Sequence, residues 1–108
     1  MERVPSIDIR QPTDARLAEV DAACRDHGFF FISGHGLEDL IQRTFEASER
    51  FFAEPRASKV ALGRTEDGPL GWYDRELTKQ FRDCKEVIDF MEAEGPIGEK
   101  LNRWPKAL

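Results

Sequence analysis

The nine residues GFFFISGHG, at positions 28–36, constrain the fold more than any other part of the chain. Four apolar residues, Phe29 to Ile32, run directly into a glycine–histidine–glycine turn. Short apolar runs bounded by glycine are typical of buried strands, and glycine tolerates the backbone conformations that tight turns require. We therefore predict a strand over Phe29–Ser33, buried on both faces, that the turn Gly34–His35–Gly36 connects to a helix.

Apolar residues with helical spacing flank this strand on both sides. The first predicted helix has Thr13 as its N-cap and ends at Gly28. Its buried stripe is predicted to comprise Leu17, Val20, Cys24 and His27. The second predicted helix continues until Pro55 stops it, because proline cannot extend the helical hydrogen-bond ladder. Its helical spacing is carried by Leu37, Leu40, Ile41, Phe45, Ser48, Phe51 and Phe52.

The remaining segments complete a mixed pattern. The stretch VPSIDI at residues 4–9 is predicted to form a short strand, and GRTEDGPLG at residues 63–71 a loop. The stretch at residues 71–83 is ambiguous, whereas alternation over residues 85–94 favours a strand. The order of elements predicts the α+β class, with short strands and two main helices.

Length and charge limit the classes of function. A chain of 108 residues is predicted to form one domain. Its 16 basic and 21 acidic side chains give a net charge of −5, which disfavours nucleic acid and anionic membranes as partners. The longest apolar run has four residues, far short of a membrane span. With no CxxC pair among its two cysteines, we expect a cytoplasmic protein.

The turn at His35 allows three interpretations. A dinucleotide-binding turn needs the pattern G-x-G-x-x-G, but Asp39 occupies the third glycine position. An iron site needs two histidines and a carboxylate, whereas neither His27 nor His35 is followed two residues later by an acidic residue. A structural corner, in which His35 hydrogen-bonds the backbone, is the interpretation we favour.

No nucleophile is evident either. None of the serines lies in a G-x-S-x-G motif, and Cys24 is expected to be a buried, inert thiol. The residues alone therefore predict no catalytic, metal-binding or cofactor-binding side chain.

Six motifs nevertheless occur in an order that is characteristic of a known family: VPSIDI, AACRDHGFFFISGHG, FFAEPRASK, GWY, DCKE and NRWP. This succession, from Val4 to Pro105, resembles the N-terminal region of the isopenicillin N synthase-like Fe(II)/2-oxoglutarate-dependent dioxygenases. The resemblance implies a non-haem dioxygenase N-terminal domain over residues 1–108, which buttresses a double-stranded β-helix, or jelly roll, that this sequence lacks. The family usually has asparagine where Gly34 stands.

The resemblance also implies where the catalytic groups lie. The family's iron ligands, a His-x-Asp pair and a distant histidine, belong to the jelly roll, as does the Arg-x-Ser motif that holds 2-oxoglutarate. The Arg-Ala-Ser of residues 56–58 matches that motif in spelling only, because it precedes any jelly-roll strand. Fe(II) and 2-oxoglutarate are thus implied for the full-length family but not for this chain. His35 becomes a structural corner, and Trp72 and Tyr73 are predicted to border the substrate entrance.

The implied partner is the catalytic jelly roll. DCKEVIDF is expected to add a strand to the barrel's larger sheet, leaving an open edge without it. An exposed helix face is expected to include Leu37, Phe45, Phe51 and Phe52. The isolated chain is accordingly predicted to be inactive, and marginally stable or self-associating. Two alternatives stay open: a stand-alone protein-interaction module, and a phosphate-binding turn at Gly34–His35–Gly36.

Overall fold

A computed structural model describes residues 3–106, which form two compact units that divide after Gln42. The elements are, in chain order, β1 (Ser6–Asp8), α1 (Asp14–Asp26), β2 (Phe31–Ser33), α2 (Glu38–Phe52), α3 (Arg56–Val60), β3 (Gly71–Tyr73), β4 (Leu77–Thr78), β5 (Phe81–Arg82), β6 (Val87–Asp89) and α4 (Gly98–Leu101). Helices and short strands are mixed, and no closed barrel occurs within the described residues. The predicted α+β class is confirmed.

The first unit is built on a parallel strand pair. β1 and β2 pair with Ser6 opposite Phe31, and α1 provides the crossover that parallel strands require. The core is small: Ile7 on β1 and Ala23 on α1 are the buried apolar residues, with 1% and 3% of their surface exposed.

The ends of α1 follow the sequence prediction. Thr13 Oγ1 accepts a hydrogen bond from Arg16 N at 3.3 Å, and Gly28 after the helix has a φ of +79°. The predicted buried stripe is partly wrong, because the helix turns Ala23 inward and leaves Leu17 and Cys24 exposed. Adjacent residues are about 100° apart around a helix, so burial of Ala23 rotates Cys24 outward.

The prediction that β2 is buried on both faces is wrong. Phe29, Phe31 and Ile32 have 60%, 62% and 48% of their surface exposed. The physical reason is that the sheet has only two strands and α1 contacts β1, so nothing within the described part of this unit covers the aromatic rings.

The region around Pro55 differs from a simple helix-to-loop change. α2 ends at Phe52, and Pro55, with φ −55°, begins the short helix α3, which the sequence did not predict. Phe51 is buried and its ring meets that of Phe52 edge-on at 5.1 Å. The expectation that Phe51 lies on an exposed face is therefore wrong.

The second unit contains two antiparallel strand pairs. β3 pairs with β6, and β4 with β5. The turn of the β4–β5 hairpin places Lys79 and Gln80 at φ +50° and +69°, values that resemble a type I′ turn. The strand predicted over residues 85–94 is shorter than expected, since β6 covers Val87–Asp89 only.

Within residues 3–106, no helix has the length and apolar character needed to cross a membrane.

Candidate functional sites

The turn Gly34–His35–Gly36 sets the start of α2. Leu37 N donates a hydrogen bond to His35 Nδ1 at 2.9 Å, and Leu37 O accepts one from Ile41 N at 2.8 Å. The imidazole therefore satisfies one of the backbone donors that a helix start leaves without a partner. This geometry suits a structural corner. The same hydrogen bond occupies the Leu37 N–H group, which a phosphate bound at the turn would need.

The two glycines of this turn have the same backbone conformation but different surroundings. Their φ values are +74° at Gly34 and +71° at Gly36. A Cβ atom on Gly34 would lie 2.5 Å from Asp8 Oδ1 and 2.6 Å from Arg10 Cγ, whereas one on Gly36 would meet nothing within 4 Å. A residue with a Cβ atom at position 34 would therefore displace the side chains of Asp8 and Arg10.

The Asp8 carboxylate beside Gly34 is held in place by Arg10. The Arg10 side chain and backbone N–H donate to Asp8, and these bonds lower the pKa of the carboxyl to about 2. A residue larger than glycine at position 34 would therefore displace a hydrogen-bonded side chain.

The structure places the two histidines at helix ends, His35 before α2 and His27 after α1. His35 Nδ1 already accepts from Leu37 N, and His27 is the C-cap of α1. Among residues 3–106, no group of three or more His, Cys, Asp or Glu side chains is arranged to hold a metal ion. We assign no step of an oxygenase reaction to these side chains.

Trp72 and Tyr73, the predicted entrance residues, lie side by side on β3 but in different environments. Trp72 is 4% exposed, and its Nε1 donates to Glu86 Oε1 at 2.9 Å. Tyr73 is half-buried, with the guanidinium of Arg64 4.6 Å from its ring centre. Tyr73 is therefore the better placed of the two to meet another molecule.

A buried lysine is the centre of the second unit's polar interactions. Lys59, 6% exposed, donates from Nζ to Phe52 O at 2.9 Å and forms an ion pair with Glu86 Oε1 at 2.7 Å. Glu86 thus receives both the Lys59 ammonium and the Trp72 indole N–H. These contacts lower the pKa of Glu86, with the hydrogen bond from Lys59 as the largest cause. The network ties the end of α2, α3, β3 and the start of β6 together.

A second buried charge, Asp74, lies at the end of β3. Its carboxylate is 9% exposed and is surrounded by guanidinium groups. Arg56 Nη2 and Arg82 Nη2 lie 3.3 Å and 3.2 Å from Oδ2, and Arg75 Nε lies 4.0 Å from Oδ1. Burial of a carboxylate is tolerable here because several cations compensate it.

An arginine-lined hollow of about 480 Å³ opens beside Asp74. The residues that line it are Arg56, Val60, Gly63, Arg64, Thr65, Trp72, Tyr73, Asp74, Arg75 and Arg103. Sequence reasoning identified Trp72 and Tyr73 but not the basic residues, because Arg56 and Arg103 are 47 positions apart and share no local pattern.

Comparison with known proteins identifies the class. The model of one family, described as "non-haem dioxygenase in morphine synthesis N-terminal", matches residues 4–107. The chain belongs to this family of non-haem dioxygenase N-terminal domains, as the order of its motifs predicted.

Individual relatives are similar over the same region. Homoarginine-6-hydroxylase 2-ODD-C23.1 of Arabidopsis thaliana is 36% identical, with 86% of this chain and 33% of the relative covered. Homoarginine-6-hydroxylase 2-ODD-C23.2 of the same plant is 35% identical, with 91% and 32% covered. A 2-oxoglutarate-dependent dioxygenase of Didymella fabae is 42% identical, with 55% and 18% covered.

The chain thus spans about a third of the length of the first two of these relatives. No solved structure gives a significant match.

Gly34 and Gly36 share one backbone conformation, so substituting each in turn tests the steric constraint at Gly34 directly. We expect Gly34→Ala to lower the free energy of unfolding by about 2–4 kcal/mol, since it combines an unfavourable positive φ with a clash. Gly36→Ala, the control, carries only the φ penalty of about 1–2 kcal/mol. Urea unfolding of both variants measures the difference; equal losses would contradict the close approach to Asp8.

Loss of the Glu86 carboxylate should destabilise the second unit. Glu86→Gln leaves the buried Lys59 ammonium without its anion, and we expect a loss of about 1–3 kcal/mol at pH 7. The control Glu19→Gln breaks an exposed helical ion pair with Arg16 and should cost less than about 0.5 kcal/mol.

The Glu86 effect should also depend on pH. Because folding lowers the Glu86 pKa below its ordinary 4.5, the carboxylate's stabilisation is present above that value and is lost as pH falls through the folded-state pKa. The stability difference between Glu86→Gln and the parent should therefore shrink on acidification. A pH-independent difference would show that the charge of Glu86 is not what stabilises the unit.

Proposed function

We propose that this chain is the N-terminal, non-catalytic portion of an Fe(II)/2-oxoglutarate-dependent oxygenase, and that its role is to support the catalytic barrel. The observation that carries the proposal is the family match over residues 4–107, combined with coverage of about a third of two relatives that are named as hydroxylases. In the complete enzyme, dioxygen would be the oxidant: 2-oxoglutarate would be oxidatively decarboxylated to succinate and CO2 with one oxygen atom entering succinate, while the other oxidises an organic substrate.

The apolar residues of α2 support a packing role. Leu37, at the helix start, Ile41 and Phe45 are spaced four residues apart and therefore lie along one side of the helix. They are 48%, 42% and 72% exposed, which is unusual for large apolar side chains that follow one another on one face. We propose that these three residues, the α2 apolar face, lie against the catalytic barrel when it is present.

The substrate entrance is part of the same proposal. Tyr73 rather than Trp72 would contribute to it, because Trp72 is buried and engaged by Glu86. We also propose a cytoplasmic location, which suits two cysteines that are both free thiols.

One observation favours the alternative of a stand-alone interaction module. β2 pairs only with β1 among the described strands, and its Phe31 and Ile32 side chains are exposed. An extended segment of a partner protein would fit such an edge by strand addition. The phosphate-binding alternative has less support, since Leu37 N already donates to His35 and Glu38 and Asp39 place negative charge in the first turn of α2.

The α2 apolar face should cause self-association of the 108-residue chain. Phe45→Glu places a charge at its most exposed position, and we expect it to weaken self-association at least about tenfold. The control Leu17→Glu makes the same change at an exposed site on α1 and should leave association unchanged. Sedimentation velocity over a range of concentrations measures this. A parent chain that stays monomeric at every concentration would contradict the prediction.

Tyr73 should influence substrate binding in an oxygenase that contains both this domain and its catalytic barrel. We expect Tyr73→Ala to raise KM for the organic substrate about tenfold or more, without a matching fall in kcat, because it removes contact area and not a reacting group. Phe81→Ala, which alters an exposed ring on the hairpin, is the control. An unchanged KM would show that Tyr73 does not contribute to the substrate entrance.

A further inference from the structure

The arginine-lined hollow combines charge, exposed donors and two aromatic residues. Arg56, Arg64, Arg75 and Arg103 line it, and among residues 3–106 Asp74 is the one carboxylate in its lining. Arg64 is also paired with Asp89 and, at 3.7 Å, with Glu76. This concentration of positive charge stands in a chain whose net charge is −5. Asp74 lies among three arginines and Arg64 is paired with acidic residues, so part of this charge is compensated and the remainder is concentrated on Arg56 and Arg75.

Two of these guanidinium groups keep most of their hydrogen-bonding capacity. Within residues 3–106, Arg56 donates a single hydrogen bond, from Nη2 to Asp74 at 3.3 Å, and Arg75 approaches Asp74 only to 4.0 Å. Their side chains are 57% and 73% exposed. Each guanidinium carries five N–H donors, so both present unused donors to solvent at the hollow.

Two of the guanidinium groups lie against aromatic rings, which restricts their positions. The guanidinium of Arg56 lies 5.4 Å from the ring centre of Trp72, and that of Arg64 lies 4.6 Å from Tyr73. A cation–π contact holds a planar guanidinium beside a ring and leaves its edge free to donate hydrogen bonds. The edge of Arg64 donates to Asp89, whereas that of Arg56 keeps unused donors. Arg103 is fixed separately, through hydrogen bonds to Gly63 O and Ala61 O.

From this arrangement we propose that the hollow binds the carboxylate group of a small organic acid, with Arg56 and Arg75 as the principal donors. Paired N–H groups of arginine match the two oxygens of a carboxylate. The apolar surface of Val60 and the ring of Tyr73 provide contact for the carbon skeleton, which a free phosphate lacks. The proposal does not depend on the oxygenase assignment, because it concerns binding by this chain alone.

The test is a titration of the ¹⁵N-labelled 108-residue chain with succinate at constant ionic strength, with sodium chloride as the balancing salt. The Trp72 indole N–H, close to Arg56, should shift and saturate. Arg56→Gln and Arg75→Gln should each weaken binding about tenfold, the effect of losing a charge-assisted hydrogen bond. Arg50→Gln, an equal loss of charge at an exposed α2 site, should leave binding within about twofold of the parent.

Three results would overturn the proposal. If the Trp72 signal shifts linearly without saturating, and sodium chloride alone causes the same shift, the effect is general charge screening. If Arg50→Gln weakens succinate binding as much as Arg56→Gln does, the effect reflects net charge and not a specific site. Tighter binding of inorganic phosphate than of succinate would assign the hollow to a different anion. Arg75→Gln keeps the test decisive even if Arg56→Gln disturbs Asp74, since Arg75 makes no hydrogen bond in the described structure.

Discussion

Glu86 connects the segments of the second unit through one carboxylate. It receives the ammonium of Lys59 at 2.7 Å and the indole N–H of Trp72 at 2.9 Å, while Lys59 also bonds the last carbonyl of α2. A buried ammonium is costly unless a carboxylate compensates it, so the position of each partner depends on the others. Trp72 in turn fixes β3, the strand that carries Tyr73 and precedes Asp74. Trp72 also lines the arginine-lined hollow, so the network and the hollow share this residue.

Features determined by local chemistry were predictable from the sequence. The helix α1 begins at the Thr13 cap and ends before Gly28 because both effects act within one helical turn. The hairpin β4–β5 was not predictable, since Lys79 and Gln80 adopt positive φ without the glycine or asparagine that usually signals such a turn. The hairpin is exposed, and a local hydrogen bond lies beside its turn, from Thr78 Oγ1 to Asp83 Oδ2 at 3.2 Å.

The candidate sites also divide into features that local contacts determine and features that depend on residues distant in the sequence. The corner role predicted for His35 depends on a contact two residues away, and its Nδ1 does accept from Leu37 N. Lys59 and Glu86 are 27 positions apart, and no periodicity relates them. The burial of β2 was predicted wrongly because its apolar run implies two covering layers, whereas a two-stranded sheet with Phe31 exposed provides none within the first unit.

The central claim, that this domain supports an oxygenase barrel, is tested most directly by the reading frame beyond the codon for Leu108. The account predicts that the frame continues and encodes a His-x-Asp pair, a later histidine and an Arg-x-Ser motif. A stop codon immediately after Leu108 would contradict it, and strand addition at β2 would then become the function to test.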